Sequence, residues 1–416
     1  MKIHFVGIGG IGISGVAQFC QDRGDEVSGS DISESEIFPI LRKRKMLLFL
    51  EQQAENIPLD LDLLVYSEAI SFQNPERKAA REKGIPEKSY FEFLGDISRS
   101  YKTIAVAGSH GKTTITGMLA AGFDSVDFDP TIFIGSTLRE FNGSNYHAGT
   151  NDWLVLEACE YRQNFRFLYP DIVVLTEVEW DHPDSYPTEE SYFQAFEKFC
   201  SSAGTVLFHE DDVGAKRVLQ NYTGSKHAVS EDSHLNLTVF GKHNQRNARL
   251  ALSVAENLDL DKKSFAIGLQ NFSGAGRRQE FIGEWNGIRV YDDYGHHPTE
   301  IQAVLSSFRE KFPHSRIGLI YEPHQFSRTR EFFSGFVKTL RQADQIGIFP
   351  IYEARDSEDD KNAVSAEKLA AAIPEAEVVQ GFSDANSFLS SLQKGDVCLF
   401  MGAGKISEFA RTFLAQ

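Results

Sequence analysis

The sequence predicts an α/β protein of three domains, each built on a mostly parallel sheet. Apolar runs of strand length alternate with helical patterns almost throughout the chain, which is typical of βαβ units with helices on both faces of a sheet. Two glycine-rich turns follow predicted strands and open predicted helices, as in folds that bind phosphate groups. With 416 residues the chain is long enough for about two to four domains, and three is the preferred number.

Predicted strands divide the chain into an N-terminal Rossmann-like domain (1–98), a central P-loop ATPase-like domain (99–274) and a C-terminal Rossmann-like domain (275–416). The N-terminal strands are Lys2–Val6, Asp25–Ser28 and Leu61–Tyr66, followed by a helix over Asn74–Lys83. The central strands are Thr103–Ala107, Trp153–Glu157, Ile172–Thr176 and Thr205–Phe208. The C-terminal strands are Ile288–Tyr291, Ile317–Tyr321, Gln345–Phe349 and Val397–Phe400.

Composition excludes several classes of protein. A hydrophobic fraction of 41% without an apolar run of about 18 residues argues against a membrane span, and the chain opens on a strand rather than a signal peptide, so a cytosolic protein is expected. The net charge of −17 argues against broad binding to nucleic acid or to anionic membranes. The scattered cysteines indicate neither a zinc site nor a disulfide framework, and buried free thiols are expected at Cys20, Cys159, Cys200 and Cys398.

The segment Gly108–Thr114 is one of the two glycine-rich turns. It follows the predicted strand Thr103–Ala107 and opens a helix, so backbone N–H groups and the helix dipole would converge on a phosphate. Lys112 would neutralise the β- and γ-phosphates of ATP, and the Thr113 hydroxyl would join the coordination shell of Mg²⁺. The turn is a shortened form of the P-loop pattern, since Val106 stands where that pattern has its first glycine.

The other turn, Gly7–Gly12, has the spacing G-x-G-x-x-G and follows the first predicted strand. Asp31 lies at about the distance expected of an acid that binds a ribose. Such a loop holds a pyrophosphate at a helix N-terminus whatever the attached base, so NAD and a UDP-sugar are equally compatible with it. A tight turn without a ligand is the alternative interpretation.

An acidic residue and a histidine follow two strands of the predicted central sheet. Glu157 ends the strand Trp153–Glu157, and His182 follows the strand Ile172–Thr176. Ligands bind beyond the carboxyl ends of parallel strands, so Glu157, His182 and the turn Gly108–Thr113 are expected at one edge. Glu157 is a suitable oxygen ligand for Mg²⁺, whereas His182 taken alone is more typical of a structural hydrogen-bonding residue.

Two dense polar clusters, Asp292–Glu300 and Glu322–Arg330, follow predicted strands of the C-terminal domain. Such clusters pack poorly directly after buried strands, which favours a functional role over a solvated loop. The pair Arg277-Arg278 precedes them, and it would serve either solubility or contacts with phosphates between domains.

Together these motifs resemble the Mur ligases, and the resemblance covers nearly the whole chain. Gly7–Gly12 and Gly108–Thr114 are similar to the family's UDP-sugar and ATP loops. The family's magnesium motif resembles Glu157–Arg162 with Asp181-His182, and its adenine motif resembles Gly241–Asn247. Its interdomain arginine motif resembles Gly276–Glu280, and its ribose motif resembles Asp292–Glu300. Its amino-acid motif resembles His324–Arg330, and its C-terminal motif resembles Met401–Ile406.

The resemblance implies an ATP- and Mg²⁺-dependent ligase of peptidoglycan precursor synthesis. It implies that the lactyl carboxylate of UDP-N-acetylmuramate attacks the γ-phosphate of ATP, and that L-alanine then attacks the acyl phosphate. The implied catalytic residues are Lys112, Glu157, His182 and Arg278, and the implied metal ligands are Thr113, Glu157 and His182. The implied ATP-binding residues are Gly108, Ser109, His110, Gly111, Lys112, Thr113, Thr114, His243, Asn244, Asn247, Arg278 and Asp293. The implied UDP-sugar-binding residues are Gly9, Gly10, Ile11, Gly12, Ser30, Asp31 and Ser67, and the implied amino-acid-binding residues are Tyr294, His296 and Arg328.

Three residues depart from the family pattern. Glu177 stands where the family usually has Asn, Gln279 where it has Phe, and Gln325 where it has Arg. Gln325 in place of that arginine removes a charge-assisted contact, so weak apparent affinity for the amino acid is expected. Three rival functions stay open on the sequence alone: a ligase that attaches a recycled tripeptide to the same UDP-sugar, an NAD-dependent oxidoreductase built on Gly7–Gly12, and a binding-only module of the same fold.

Overall fold

A computed structural model of the chain describes residues 1–230, 234–354 and 356–415. Its strands form three sheets, one for each predicted domain, which confirms the fold class. The chain divides into two compact units. The first consists of Met1–Glu179, Phe193–Leu235 and Asn247–Ser273, and the second of Trp180–Tyr192, Asn236–Arg246 and Gly274–Gln416. The first unit contains both the N-terminal and the central sheet, so the predicted limits after residues 98 and 274 stay predictions.

The N-terminal sheet has five parallel strands in the order β3-β2-β1-β4-β5. These are β1 (Lys2–Val6), β2 (Glu26–Ser30), β3 (Leu47–Phe49), β4 (Leu63–Tyr66) and β5 (Glu87–Ser89). Its helices are α1 (Ile11–Asp22), α2 (Phe38–Lys43), α3 (Pro75–Glu82) and α4 (Tyr90–Ser98). The predicted helix at 74–83 is confirmed as α3, because the Asn74 side chain accepts hydrogen bonds from the first-turn N–H groups and Pro75 occupies the first helical position.

The central sheet has seven strands in the order β12-β11-β10-β6-β9-β7-β8. These are β6 (Lys102–Ala107), β7 (Thr131–Leu138), β8 (Ser144–His147), β9 (Trp153–Glu157), β10 (Ile172–Leu175), β11 (Thr205–His209) and β12 (Ser225–Val229). The helices of this part of the chain are α5 (Lys112–Asp124), α6 (Glu189–Cys200), α7 (Val213–Val218), α8 (Lys242–Asn257) and α9 (Lys262–Asn271). Neighbours are parallel except β7 and β8, which form an antiparallel hairpin.

The C-terminal sheet has six strands in the order β13-β14-β18-β15-β16-β17. These are β13 (Glu280–Trp285), β14 (Ile288–Asp293), β15 (Ile317–Glu322), β16 (Gln345–Ile348), β17 (Glu377–Val378) and β18 (Val397–Gly402). Its helices are α10 (Pro298–Lys311), α11 (Phe326–Glu331), α12 (Phe333–Leu340), α13 (Glu358–Ala363), α14 (Ala366–Ala371), α15 (Phe382–Ser390) and α16 (Ile406–Leu414). Two apolar clusters pack on this sheet, as expected of a sheet covered on both faces.

The structure contains strands that hydrophobic patterning did not indicate. Most of β12 is exposed, as is part of β3, and short edge strands of this kind lack the apolar run that marks a central strand. All four cysteines are free thiols, as predicted, and three are buried, while Cys159 is partly exposed. Within the described ranges, no helix combines the length and apolar character needed to cross a bilayer.

Candidate active site

The turn Gly108–Thr114 connects β6 to α5, as predicted. Gly108 and Gly111 both have positive φ angles, of 132° and 80°. A Cβ atom on Gly108 would lie 1.9 Å from Thr176 Oγ1, so only glycine fits there. A Cβ on Gly111 would lie 2.7 Å from Asn247 Oδ1, which places a predicted ATP-binding residue beside this turn.

The same turn is tied to the segment that follows β10. The N–H group of Ser109 donates to Glu177 O at 2.8 Å, and its hydroxyl donates to Glu179 O at 2.6 Å. His110 Nε2 lies 3.2 Å from Glu179 Oε2. Glu177, a departure from the family pattern, therefore supports the turn through its backbone carbonyl.

Lys112 begins α5 and folds back over its own turn. Its Nζ lies 2.8 Å from Glu160 Oε2 and donates to the carbonyl oxygens of Gly108 and Ser109. Burial lowers the pKa of Lys112, but the Glu160 carboxylate outweighs burial and the pKa is raised above its ordinary value. Lys112 is therefore a cation at neutral pH, positioned at the phosphate turn.

Glu157 and Thr113 are brought into contact at the end of β9. Thr113 Oγ1 donates to Glu157 Oε2 at 2.9 Å, and the Gly135 N–H donates to Glu157 Oε1 at 2.5 Å. A hydroxyl next to a carboxylate at a phosphate turn is the hard-oxygen donor set that Mg²⁺ prefers, so these residues fit the predicted ion. His182 belongs to the second compact unit, and its pairing with Glu157 stays a prediction.

The loop Gly7–Gly12 connects β1 to α1 and forms one wall of a cleft of about 600 Å³. Asp31 accepts the Gly9 N–H at 2.8 Å, and Ser67 also lines the cleft. Ser30 is fully buried, and its hydroxyl donates to Glu76 at 2.5 Å. Asp31 and Ser67 thus lie at the cleft, whereas Ser30 supports the loop from below.

A second cleft, of about 330 Å³, lies between elements of the N-terminal and the central sheet within the first unit. One wall is the start of α1, with Gly10 and Gly12. The other wall includes Gly135 on β7 and Glu157 on β9. Tyr90 packs so tightly against Gly12 that a Cβ there would lie 2.8 Å from its hydroxyl oxygen. The predicted UDP-sugar loop therefore shares a cleft with Glu157, which contacts Thr113 of the predicted ATP loop.

In the second unit, the residues predicted to bind the adenine and ribose lie close together. Gln279 Nε2 donates to Ser307 Oγ at 2.9 Å and lies 3.4 Å from His243 Nε2. Burial lowers the pKa of His243 to about 4, so its imidazole is neutral. Asp293 is 2% exposed, and it accepts the N–H groups of Gln279 and Gly295 at 2.9 and 2.7 Å. Burial raises the pKa of Asp293 to about 6.

Two further predicted ATP-binding residues also lie in the second unit. Arg278 Nη1 is 3.7 Å from Glu300 Oε1, and its guanidinium carbon is 5.2 Å from the Tyr294 ring centre. Asn244 is buried, and its amide donates to Phe240 O at 2.8 Å. Arg278 is thus positioned beside a residue predicted to bind the amino acid.

The residues predicted to bind the amino acid form an aromatic and imidazole cluster in the second unit. The rings of Tyr294 and His296 lie 5.6 Å apart, and those of His296 and His324 lie 5.8 Å apart. His324 stacks on Tyr352 at 5.4 Å. Burial lowers the pKa of His296 to about 4, so this imidazole is uncharged at neutral pH.

Arg328 is 1% exposed and makes a buried ion pair with Asp181. It also lies 3.2 Å from His182 Nδ1 and 3.2 Å from His324 Nδ1. Gln325 has a φ of 72°, and its amide donates to Ala354 O at 3.0 Å rather than joining this cluster. Arg328 thus contacts the imidazole side of the cluster, to which the Gln325 side chain adds no charge.

Glu160 and Asp181 lie within the predicted magnesium motifs, but the sequence did not indicate a role for either of them. Both are acids next to predicted ligands, Glu157 and His182, and their positions in the chain were the available signal. What patterning could not show is that each is buried against a cation, Lys112 for Glu160 and Arg328 for Asp181.

The turn Gly402–Lys405 resembles a phosphate loop but holds a carboxylate of the protein itself. Glu322, 2% exposed, accepts the N–H groups of Lys405 and Ile406 at 3.1 and 3.0 Å. Burial raises the pKa of Glu322. The Glu322 carboxylate at the end of β15 therefore caps the first N–H groups of α16.

Three family models match the chain, and together they span most of it. Residues 2–102 match the family described as "Mur ligase family, catalytic domain", 106–231 match "Mur ligase middle domain", and 277–404 match "Mur ligase, glutamate ligase domain". A UDP-N-acetylmuramate–L-alanine ligase from Clostridium acetobutylicum is 36% identical over 100% of this chain and 98% of its own length. One from Lawsonia intracellularis is 36% identical over 99% of this chain and 98% of its own.

Solved structures show the same architecture. A UDP-N-acetylmuramate-alanine ligase from Thermotoga maritima has a TM-score of 0.84 at 28% identity, covering 100% of this chain and 98% of its own. A murein peptide ligase from Psychrobacter arcticus has a TM-score of 0.76 at 21% identity, with 100% and 98% covered, and shares the fold. The matched domains and relatives span the chain from end to end, and the protein belongs to the Mur ligase family.

Proposed function

We propose that this protein joins L-alanine to the lactyl carboxylate of UDP-N-acetylmuramate at the expense of ATP. The observation that carries this proposal is the set of curated relatives with that activity in their names, at 34–36% identity over 97–100% of the chain. The first unit supports it too, because Gly10, Gly12 and Glu157 line one cleft there and Glu157 accepts a hydrogen bond from Thr113. We also propose that the enzyme works in the cytosol.

A carboxylate does not condense with an amine in water, because hydroxide is a poor leaving group. We propose that the lactyl carboxylate therefore attacks the γ-phosphate of ATP, forming an acyl phosphate and ADP. The Lys112 ammonium group would then leave the Glu160 carboxylate, contact the phosphoryl oxygens and stabilise their charge. Because Glu160 holds the Nζ beside the turn, little reorganisation is needed for this exchange.

Mg²⁺, held by Thr113 and Glu157 with His182 as the predicted third ligand, would screen the repulsion between ATP and the carboxylate substrate. The Glu157 carboxylate is already oriented for this task by the Gly135 N–H and the Thr113 hydroxyl. Arg278 would add positive charge near the transferred phosphoryl group.

In the second step, the amine of L-alanine attacks the acyl phosphate and inorganic phosphate leaves. We propose that Arg328 binds the alanine carboxylate and that Tyr294 and His296 border its amine and methyl group. Support for this comes from the geometry of the cluster, in which Arg328 lies 3.2 Å from His324 Nδ1 and the rings of His324 and His296 are 5.8 Å apart. Asp181 competes for the same guanidinium, which is a physical reason to expect weak affinity for alanine.

Phosphate release with UDP-N-acetylmuramate, ATP and a panel of acceptors tests the proposal. We expect L-alanine to be the preferred acceptor and glycine and L-serine to be poorer ones. Preference for the tripeptide L-alanyl-γ-D-glutamyl-meso-diaminopimelate would replace this function by that of a peptide-recycling ligase. Binding of NAD in place of UDP-N-acetylmuramate would contradict both.

A further inference from the structure

A buried polar network joins α1 of the N-terminal domain to β8 of the central domain, within the first unit. Gln18 Nε2 donates to Asn145 Oδ1 at 2.9 Å, and Ser144 Oγ donates to Gln18 Oε1 at 3.0 Å. Asn145 Nδ2 donates to Ser14 Oγ at 3.0 Å and also to the carbonyl oxygen of Ile11. Gln18 is fully buried and Asn145 is 1% exposed.

Each of these bonds crosses from one domain to the other. Apolar contacts surround them: the Phe19 ring packs edge-on against Phe133 at 5.7 Å and Tyr146 at 6.3 Å. Apolar packing is non-directional, whereas a buried amide must keep its partners or leave unsatisfied donors and acceptors. The Gln18–Asn145 pair therefore selects one relative placement of α1 and the β7–β8 hairpin.

The network lies between the two proposed substrate sites, and Gln18 and Asn145 themselves belong to neither set of predicted binding residues. At one end, Ile11 is the first residue of α1 and lines the 330 Å³ cleft next to the UDP-sugar loop. At the other end, the hairpin that carries Asn145 also carries Gly135, whose N–H holds the Glu157 carboxylate. One hairpin thus contacts the start of α1 and the proposed magnesium ligand.

We propose that Gln18 and Asn145 are positioning residues that set the distance between the bound lactyl carboxylate and the γ-phosphate of ATP. The inference rests on the proposed function, in which the two reacting groups belong to ligands held by different domains. A misplacement of about 1 Å between reacting atoms costs roughly 10²-fold in rate. A hydrogen-bonded contact between the domains would prevent such a shift.

Three variants test the proposal: Asn145→Asp, which keeps the shape but loses the amide donors; Gln18→Leu; and the exchanged pair Gln18→Asn with Asn145→Gln. The exchange shortens one side chain and lengthens the other by one methylene, so it preserves the amide–amide bond. Gln21→Leu is the matched control, because Gln21 lies on the same helix but donates to Arg44 O within the N-terminal domain. Ser14→Ala removes the bond from Asn145 together with the bond that Ser14 donates to Ile11 O within α1, and it replaces Asn145→Asp should that variant not fold.

We expect each single variant at Gln18 or Asn145 to lower kcat for phosphate release by about tenfold or more. The Kd of UDP-N-acetylmuramate and the Kd of ATP, each measured alone by calorimetry, should change by less than about twofold. The exchanged pair should recover most of kcat, and Gln21→Leu should leave it unchanged. A lower Tm with unchanged kcat in the folded variants would show that the network is only structural. A higher Kd for the UDP-sugar with unchanged kcat would show that it shapes the pocket instead.

Amide hydrogen exchange measures the stability of the contact between α1 and β8 without depending on turnover. The single variants should speed amide exchange in both α1 and β8, and the exchanged pair should restore protection; equal protection in all variants would overturn the proposal. The wild-type enzyme could fail to release phosphate while amide protection in α1 and β8 still depends on Gln18 and Asn145. That result would contradict the proposed function but not the contact between the domains.

Discussion

Asp181 and Arg328 form a buried ion pair, in which Arg328 Nε lies 2.9 Å from Asp181 Oδ1 and Nη2 lies 3.3 Å from Oδ2. Burial raises the pKa of Asp181, but the guanidinium outweighs burial and holds that pKa well below its ordinary value. Removing one partner of such a pair leaves an uncompensated buried charge.

Asp181→Asn should therefore destabilise the fold by about 3 to 5 kcal/mol, as measured by urea denaturation. The exposed residue Asp359 provides the matched control, and Asp359→Asn should change the free energy of unfolding by less than about 0.5 kcal/mol. A loss below about 1 kcal/mol for Asp181→Asn would mean that water or another carboxylate compensates the guanidinium.

Arg328→Lys should raise the KM for L-alanine far more than the KM for ATP, because an ammonium group cannot grip a carboxylate with two parallel hydrogen bonds. Lysine keeps the charge opposite Asp181 and limits the loss of stability that an alanine substitution would cause. Initial-rate kinetics with each substrate varied in turn provide the measurement. Should only the KM for ATP rise, Arg328 belongs to the nucleotide site.

Lys112→Met should lower kcat by about 10²-fold or more, since it removes the cation at the β- and γ-phosphates. It also leaves Glu160, 4% exposed, without its lysine partner, so stability should fall as well. The double variant Lys112→Met with Glu160→Gln should recover stability but not activity. Recovery of turnover in the double variant would show that the loss came from folding.

Glu157→Gln should raise the Mg²⁺ concentration needed for half-maximal rate, because an amide is a weaker ligand for a hard cation than a carboxylate. The amide oxygen can still accept a hydrogen bond from the Gly135 N–H, so the fold should be retained. Titration of phosphate release with MgCl₂ provides the measurement. An unchanged Mg²⁺ requirement would place the ion elsewhere.

The KM for ATP should rise as the pH falls below about 6, the value to which burial raises the pKa of Asp293. Above that pH the ionised carboxylate accepts charge-assisted hydrogen bonds from the N–H groups of Gln279 and Gly295; protonation weakens them and loosens the nucleotide site. Asp293→Asn should raise the KM at pH 8 and abolish its change between pH 5 and 7. The same pH profile in the variant would assign the titration to another group.

Much of the fold and the loops of the site were accessible from the sequence because they are local. A strand, a glycine-rich turn and a helix are adjacent in the chain at Gly7–Gly12 and Gly108–Thr114, so spacing and backbone geometry predict where a phosphate is held. Buried parallel strands such as β9 and β15 are continuous apolar runs, and their periodicity identifies them without knowledge of their neighbours.

Tertiary structure alone decided which charges meet. Lys112 and Glu160 are 48 positions apart, and Arg328 and Asp181 are 147 apart, so nothing in local spacing pairs them. The Gln18–Asn145 contact spans 127 positions and arises only when the β7–β8 hairpin packs on α1. Composition and periodicity determine elements and turns, because these depend on neighbouring residues; ion pairs and buried amide contacts depend on how separate elements pack, which sets the geometry of the site.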